Sequence, residues 1–164
     1  AVEIRRALVR QNPDAFQPAL AMSLNNLATF LSESGRRAEA LVPAQEAVEI
    51  RRALVRQNPD AFQPDLAMSL GMIGKTLEAN DRLPEAQASF AEGVSVLNPL
   101  LQTLPEAHAP LMQMLAADYL RLTQTLGQEP DLALLGPVVA VFERLQSEAP
   151  ASPDDGPSNP APAA

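Results

Sequence analysis

Residues 1–24, AVEIRRALVRQNPDAFQPALAMSL, return 46 positions later as residues 47–70, with Ala19 against Asp65 as the single difference. A long fixed period constrains a chain more than its composition does. Each unit carries an apolar face that it cannot bury alone, so units stack on their neighbours and form an array. The period continues into a third, more altered copy. Pro59-Asp60-Ala61 reappears as Pro105-Glu106-Ala107, Pro64 as Pro110 and Pro84 as Pro130, and the turn positions Gly35, Asp81 and Gly127 stand 46 apart. The expected domain is residues 1–147, made of a half repeat at 1–12 and repeats from about 13, 59 and 105; residues 148–164 form a tail. A start inside a repeat, without methionine, reads as a piece of a longer protein, from its C-terminal end.

Periodicity sets the elements. Leu20, Leu24, Leu27, Ala28 and Leu31 lie on one helical face, and Gly35 ends that run. A second run passes through Ala40, Leu41, Ala44, Ala47, Val48 and Leu54 to Asn58-Pro59. The expected helices are 1–11, 15–34, 37–57, 61–80, 83–102, 106–126 and 130–147, with no strand. Asn12, Asn58 and Leu104 precede prolines and break the helices there. Pro18, Pro64 and Pro110 are placed within the first turn, where no hydrogen bond is lost. Pro43 should bend its helix, and Gly136-Pro137 should split the last one.

Composition narrows the function. The chain has no cysteine, which excludes disulfides and thiolate metal sites and points to a reducing, cytoplasmic setting. No run of about 18 apolar residues is present, so no membrane partner is expected. Net charge is −8, divided as +2 over residues 1–56 and −10 over 57–164. That balance argues against nucleic acid, whose phosphates need a basic surface. The Arg-Arg pairs at 5–6, 36–37 and 51–52 have glutamates within helical reach and read as solvated helix faces. The segment from Ser147 has five prolines, no bulky apolar residue and no base, and is expected to be disordered.

The helix pairs resemble tetratricopeptide repeats. Leu70, Ile73-Gly74, Leu77, the Asp81 turn, Ala86, Phe90 and Gly93 occupy the family's motif positions, as do Leu24, Leu27-Ala28, Leu31, Gly35, Ala40, Ala44 and Ala47 one copy earlier. The wording LNNLATFLSESGRRAEAL followed by EAVEIRRAL is similar to the long-period variety of kinesin light chains and large bacterial signalling proteins. The resemblance covers residues 1–147. It implies an all-α, right-handed α-solenoid of antiparallel helix pairs with a concave groove that holds a peptide or partner helix. The period of 46 rather than 34 lengthens the helices, and copy three has Tyr119-Leu120 where the motif wants Leu-Gly.

No residue set reads as catalytic. His108 is the only histidine and sits at the place of Phe16 and Phe62, so a packing role is expected for it. One histidine builds neither a metal site nor a Ser-His-Asp arrangement, and no cofactor is expected. Over residues 25–46 only five of 22 positions match their counterparts at 71–92, so the copies diverge in the half that holds the implied groove. The groove positions carried across from the family are Asn25, Asn26, Thr29 and Ser32, then Gly71, Met72, Lys75 and Glu78, then Ala117, Asp118, Arg121 and Gln124. Amides there would bond an extended backbone, and Lys75 and Arg121 would pair a carboxylate. Asn26→Ala, Lys75→Ala and Arg121→Ala are expected to weaken binding and leave stability nearly intact, with Arg51 and Arg52 as outer-face controls. The competing readings are a sensory or autoinhibitory arm of a larger bacterial signalling enzyme, a nucleotide-driven switch or a protease, and a self-associating structural solenoid. Self-association is expected through residues 1–11, where Val2, Ile4, Leu8 and Val9 lack full cover.

Overall fold

The computed structural model describes residues 1–148, and the segment expected to be disordered lies, from residue 149 on, outside the described residues. Seven helices follow one another: α1 (Val2–Gln11), α2 (Pro13–Glu33), α3 (Arg37–Gln57), α4 (Pro59–Glu78), α5 (Leu83–Thr103), α6 (Pro105–Thr125) and α7 (Leu132–Glu148). No strand occurs among the described residues. Each helix packs on the next, and the first helices of successive pairs, α2, α4 and α6, also touch one another directly. This is an all-α helical-repeat solenoid.

The punctuation is chemical and repeats with the period. Asn12 and Asn58 accept hydrogen bonds from the Ala15 and Ala61 amides at 3.3 Å, capping α2 and α4. Leu104 offers α6 no such side chain. At the other helix ends, Gly35, Asp81 and Gly127 adopt left-handed φ of 77°, 59° and 65°. In each case the following amide reaches back across the turn, Arg36 to Leu31, Arg82 to Leu77 and Gln128 to Thr123. These are Schellman closures, which satisfy the last carbonyls of a helix. Asp81 alone makes one without glycine.

Two proline expectations are corrected. The helices begin at Pro13, Pro59 and Pro105, so Pro18, Pro64 and Pro110 are sixth residues and each removes one intrahelical hydrogen bond. And α7 is one unbroken helix with Pro137 inside it. Asp131 caps its start, its carboxylate accepting from the Ala133 and Leu134 amides. Leu135, Val138 and Val141 anchor it in the core on both sides of the proline.

Packing between paired helices depends on matched volumes. Ala28 and Ala44 are both buried in copy one; their counterparts in copy two are Gly74 and Phe90. A Cβ on Gly74 would sit 2.7 Å from Phe90 Cζ, so the glycine provides the space that the ring fills. Copy three has Leu120 and Gly136 there, and both are exposed. The complementary pair is lost, and α7 packs against α5 as well as α6.

The Arg36-Arg37 pair is an exposed helix face as expected, with Arg36 paired to Glu39, but the pairs at 5–6 and 51–52 are not simply solvated. Arg51 is buried between α3 and α4, where it meets Asp65 at 2.5 Å. Its counterpart Arg5 has Ala19 in that place and donates to the Ala19 carbonyl and to Ser23 Oγ. The single difference between the identical stretches thus supplies a counter-charge to a buried guanidinium. Burial lowers the Arg51 pKa, and the Asp65 charge opposes that shift. The helical period located these arginines on a face but could not say which neighbour that face meets.

Candidate binding face

The face built by α2, α4 and α6 carries most of the positions that the family resemblance implies. Asn26, Thr29, Lys75, Arg121 and Gln124 are exposed on it, with Met72 and Glu78 half-buried between them. They share one side because they recur at helical spacing on parallel first helices one period apart. Asn26 and Gln124 make no side-chain hydrogen bond among the described residues. Thr29 Oγ1 donates to the Asn25 carbonyl at 3.2 Å, which leaves its own oxygen available to accept.

Three of the candidates are not where the sequence placed them, and Gly71 is one, buried against Leu115 of α6. Asn25 is 6% exposed, and its Nδ2 donates to Ser69 Oγ at 2.9 Å across the α2–α4 interface. Its amide holds two helices together and is not free for a ligand. Asp118 is also buried, and it is the centre of an ionic cluster. Lys75 Nζ donates to Asp118 Oδ1 at 2.6 Å, and Arg121 reaches the same oxygen at 2.9 Å. Arg121 also grips Glu78 with both nitrogens, at 2.6 and 2.9 Å. These bonds tie α4 to α6 across the face.

The electrostatics follow from that geometry. Burial pushes the Asp118 carboxyl upward, but the hydrogen bonds from Lys75 and Arg121 outweigh it and hold it below the ordinary carboxylate range. The Glu78 and then the Asp118 hydrogen bonds raise Arg121 further above its usual value. Lys75 and Arg121 therefore already have carboxylate partners in this chain, and the four charges cancel. Lys75 also lies 5.7 Å from the centre of the Phe90 ring. Removing either cation alone unbalances a buried carboxylate, so Lys75→Ala and Arg121→Ala should lower stability, against the expectation from the sequence. Sequence reasoning could have found the cluster: residues 75 and 118 are 43 apart, close to one period, which sets positions on adjacent first helices side by side.

The opposite side is different in kind. Arg6 pairs with Glu46, and one period later Arg52 pairs with Glu92 at 2.7 Å, with Glu3 and Glu49 joining each arginine from within its own helix. These charges link the second helices of successive pairs and are consumed in doing so. Of the two outer-face controls expected from the sequence, Arg51 is buried and only Arg52 serves. Among the described residues, no group of three or more His, Asp or Glu side chains could hold a metal ion. No described helix is long and apolar enough to cross a membrane.

Stacked antiparallel helix pairs with left-handed turn residues at a fixed period define a helical-repeat protein. Residues 20–60 match the family model described as Tetratricopeptide repeat. No curated protein matches the chain.

Proposed function

We propose that this chain is a non-catalytic protein-interaction module of the long-period, kinesin-light-chain-like variety, and that it binds a peptide or partner helix on the face formed by α2, α4 and α6. The observation that carries the reading is a pair of unengaged amides on that face. Asn26 and Gln124 stand exposed there with no side-chain hydrogen bond, whereas Arg6 and Arg52 on the opposite side are paired with Glu46 and Glu92. Amides that donate and accept suit an extended backbone. The balanced ionic cluster between them favours a polar or mixed-charge ligand over a strongly acidic one. An ammonium has three N–H groups, and the hydrogen bond to Asp118 engages one of those on Lys75.

Peptides selected from a random display library on the immobilised chain should bind saturably. Asn26→Ala with Gln124→Ala should weaken them by about tenfold or more, about 1.4 kcal/mol, while Arg52→Ala stays within about twofold of the unchanged chain. Equal losses from Arg52→Ala would move the site to the opposite side.

A further inference from the structure

Three of the five methionines form a ladder across the surface of the array. Met22, Met68 and Met114 stand one period apart on α2, α4 and α6 and are 52%, 48% and 43% exposed. Met68 lies on the middle helix of the three, which touches both of the others, so its exposure is not that of an end. Duplication explains Met22 and Met68, which lie in the near-identical stretches. It does less for Met114, because only six of the 24 residues at 93–116 still match 47–70, and Met114 is one of them. Met112, two residues away, is fully buried. A thioether left in water at the same place on three successive helices marks an apolar contact that these helices do not make among themselves.

The ladder crosses the face formed by α2, α4 and α6. One turn after each methionine come Asn26, Met72 and Asp118, and Met72, half-buried, widens the apolar band in the middle. Packed helices stand about 8–10 Å apart. A polyproline II strand has three residues per turn and advances about 3.1 Å per residue, so every third side chain lies on one edge, about 9 Å from the one before. Side chains on one face of a β-strand repeat at about 7 Å and lose register by the third helix. A partner helix would present every seventh residue at about 10 Å. Its backbone groups, however, are already paired within it, whereas the unengaged amides of Asn26 and Gln124 suit a backbone that is free. Charge narrows the choice further. Lys75, Arg121, Asp118 and Glu78 cancel one another, so the residues that pass over them gain nothing from a net charge.

We propose that Met22, Met68 and Met114 select the partner as an extended polyproline II segment that crosses α2, α4 and α6 and carries an apolar side chain at every third residue, with uncharged polar residues between. The inference rests on the proposed binding face and adds its specificity. Each apolar anchor lies against one methionine, whose flexible and polarizable side chain adapts to aliphatic and aromatic groups alike. Asn26 and Gln124 bond the backbone alongside.

Three peptide display libraries test it on the immobilised chain, with apolar residues fixed at every second, every third or every seventh position and the rest randomised. The every-third library should enrich about tenfold or more over the other two. Its selected peptides should bind Met68→Gln about fivefold more weakly, and the triple variant Met22→Gln, Met68→Gln and Met114→Gln about fiftyfold more weakly. Met68→Leu, which keeps an apolar group, should stay within about twofold. Glutamine matches methionine in length and helix preference, so circular dichroism and Tm of the variants should stay close to those of the unchanged chain. Enrichment of the every-second or every-seventh library instead would overturn the inference. So would selected peptides that bind the triple variant as tightly as the unchanged chain; if they still lose affinity in Asn26→Ala with Gln124→Ala, the proposed face stands without its methionine ladder. Peptides insensitive to both sets of variants, or no enrichment from any library, would overturn the face and the ladder together.

Discussion

Gly74 is small because Phe90 is not. The ring is fully buried against it, and a methyl group there would fall within 2.8 Å of two ring carbons. Alanine in place of glycine favours a helix by about 0.5–1 kcal/mol, but overpacking a filled core costs about 1–3 kcal/mol. Gly74→Ala should therefore lower the urea midpoint, and adding Phe90→Leu should recover part of the loss; a midpoint that rises in the single variant would show that the ring is free to move. Asp65 has a similar one-to-one role. Asp65→Ala restores the residue found at position 19 and removes the partner of buried Arg51. In copy one the equivalent arginine bonds the Ala19 carbonyl and Ser23, whereas Ser69, the counterpart of that serine, already accepts from Asn25. A loss of about 1–2 kcal/mol is expected, less than for a fully buried pair because Asp65 is partly solvated. Calorimetry that finds no change would mean that Arg51 finds another partner. The motif residues Gly74 and Phe90 were legible in the sequence. That Asp65 answers Arg51 was not, since nothing in a helical period says which side chain of one helix meets which of the next.

Among elements, the α4–α6 contact has a pH dependence whose sign is fixed by Asp118. Its carboxyl is held below the ordinary value of 3.8 in the folded chain, so its contribution is complete above that pH and is lost as pH falls through the lower folded value. The unchanged chain should lose stability steeply below about pH 4. Asp118→Asn should be less stable at neutral pH and show a shallower fall in acid, followed by urea midpoints across the range. Parallel acid limbs for the two chains would place the acid sensitivity elsewhere. The helices themselves were largely legible: apolar spacing, Asn-Pro breaks and the turns at 35, 81 and 127 locate their ends to within about two residues. Failures came where packing overrides local preference. Pro137 was expected to split α7, yet the Asp131 cap and the buried Leu135, Val138 and Val141 keep it whole.

For the whole molecule, the 46-residue period made the architecture legible, because a face that recurs at fixed spacing is buried only by stacking. The proposed binding face was legible in part. Asn26, Thr29, Lys75, Arg121 and Gln124 do share one exposed face, while Asn25 and Asp118 are taken into the contacts that hold its helices together. A helix buries some of its inner positions to join its neighbour and leaves the rest free, and that division depends on interaxial packing rather than on sequence spacing. The self-association expected at α1 rested on four apolar residues; Val2 and Val9 pack on the core of α2 and α3, Leu8 is half-buried, and Ile4 alone is exposed. The central claim is that the face of α2, α4 and α6 receives the partner. Backbone amide shifts of the isotope-labelled chain, recorded during titration with a display-selected peptide, test it most directly. The account predicts changes concentrated around Asn26, Thr29, Met72, Lys75, Arg121 and Gln124 with α1, α3 and α5 little affected; changes centred on Arg52 and Glu92 would contradict it.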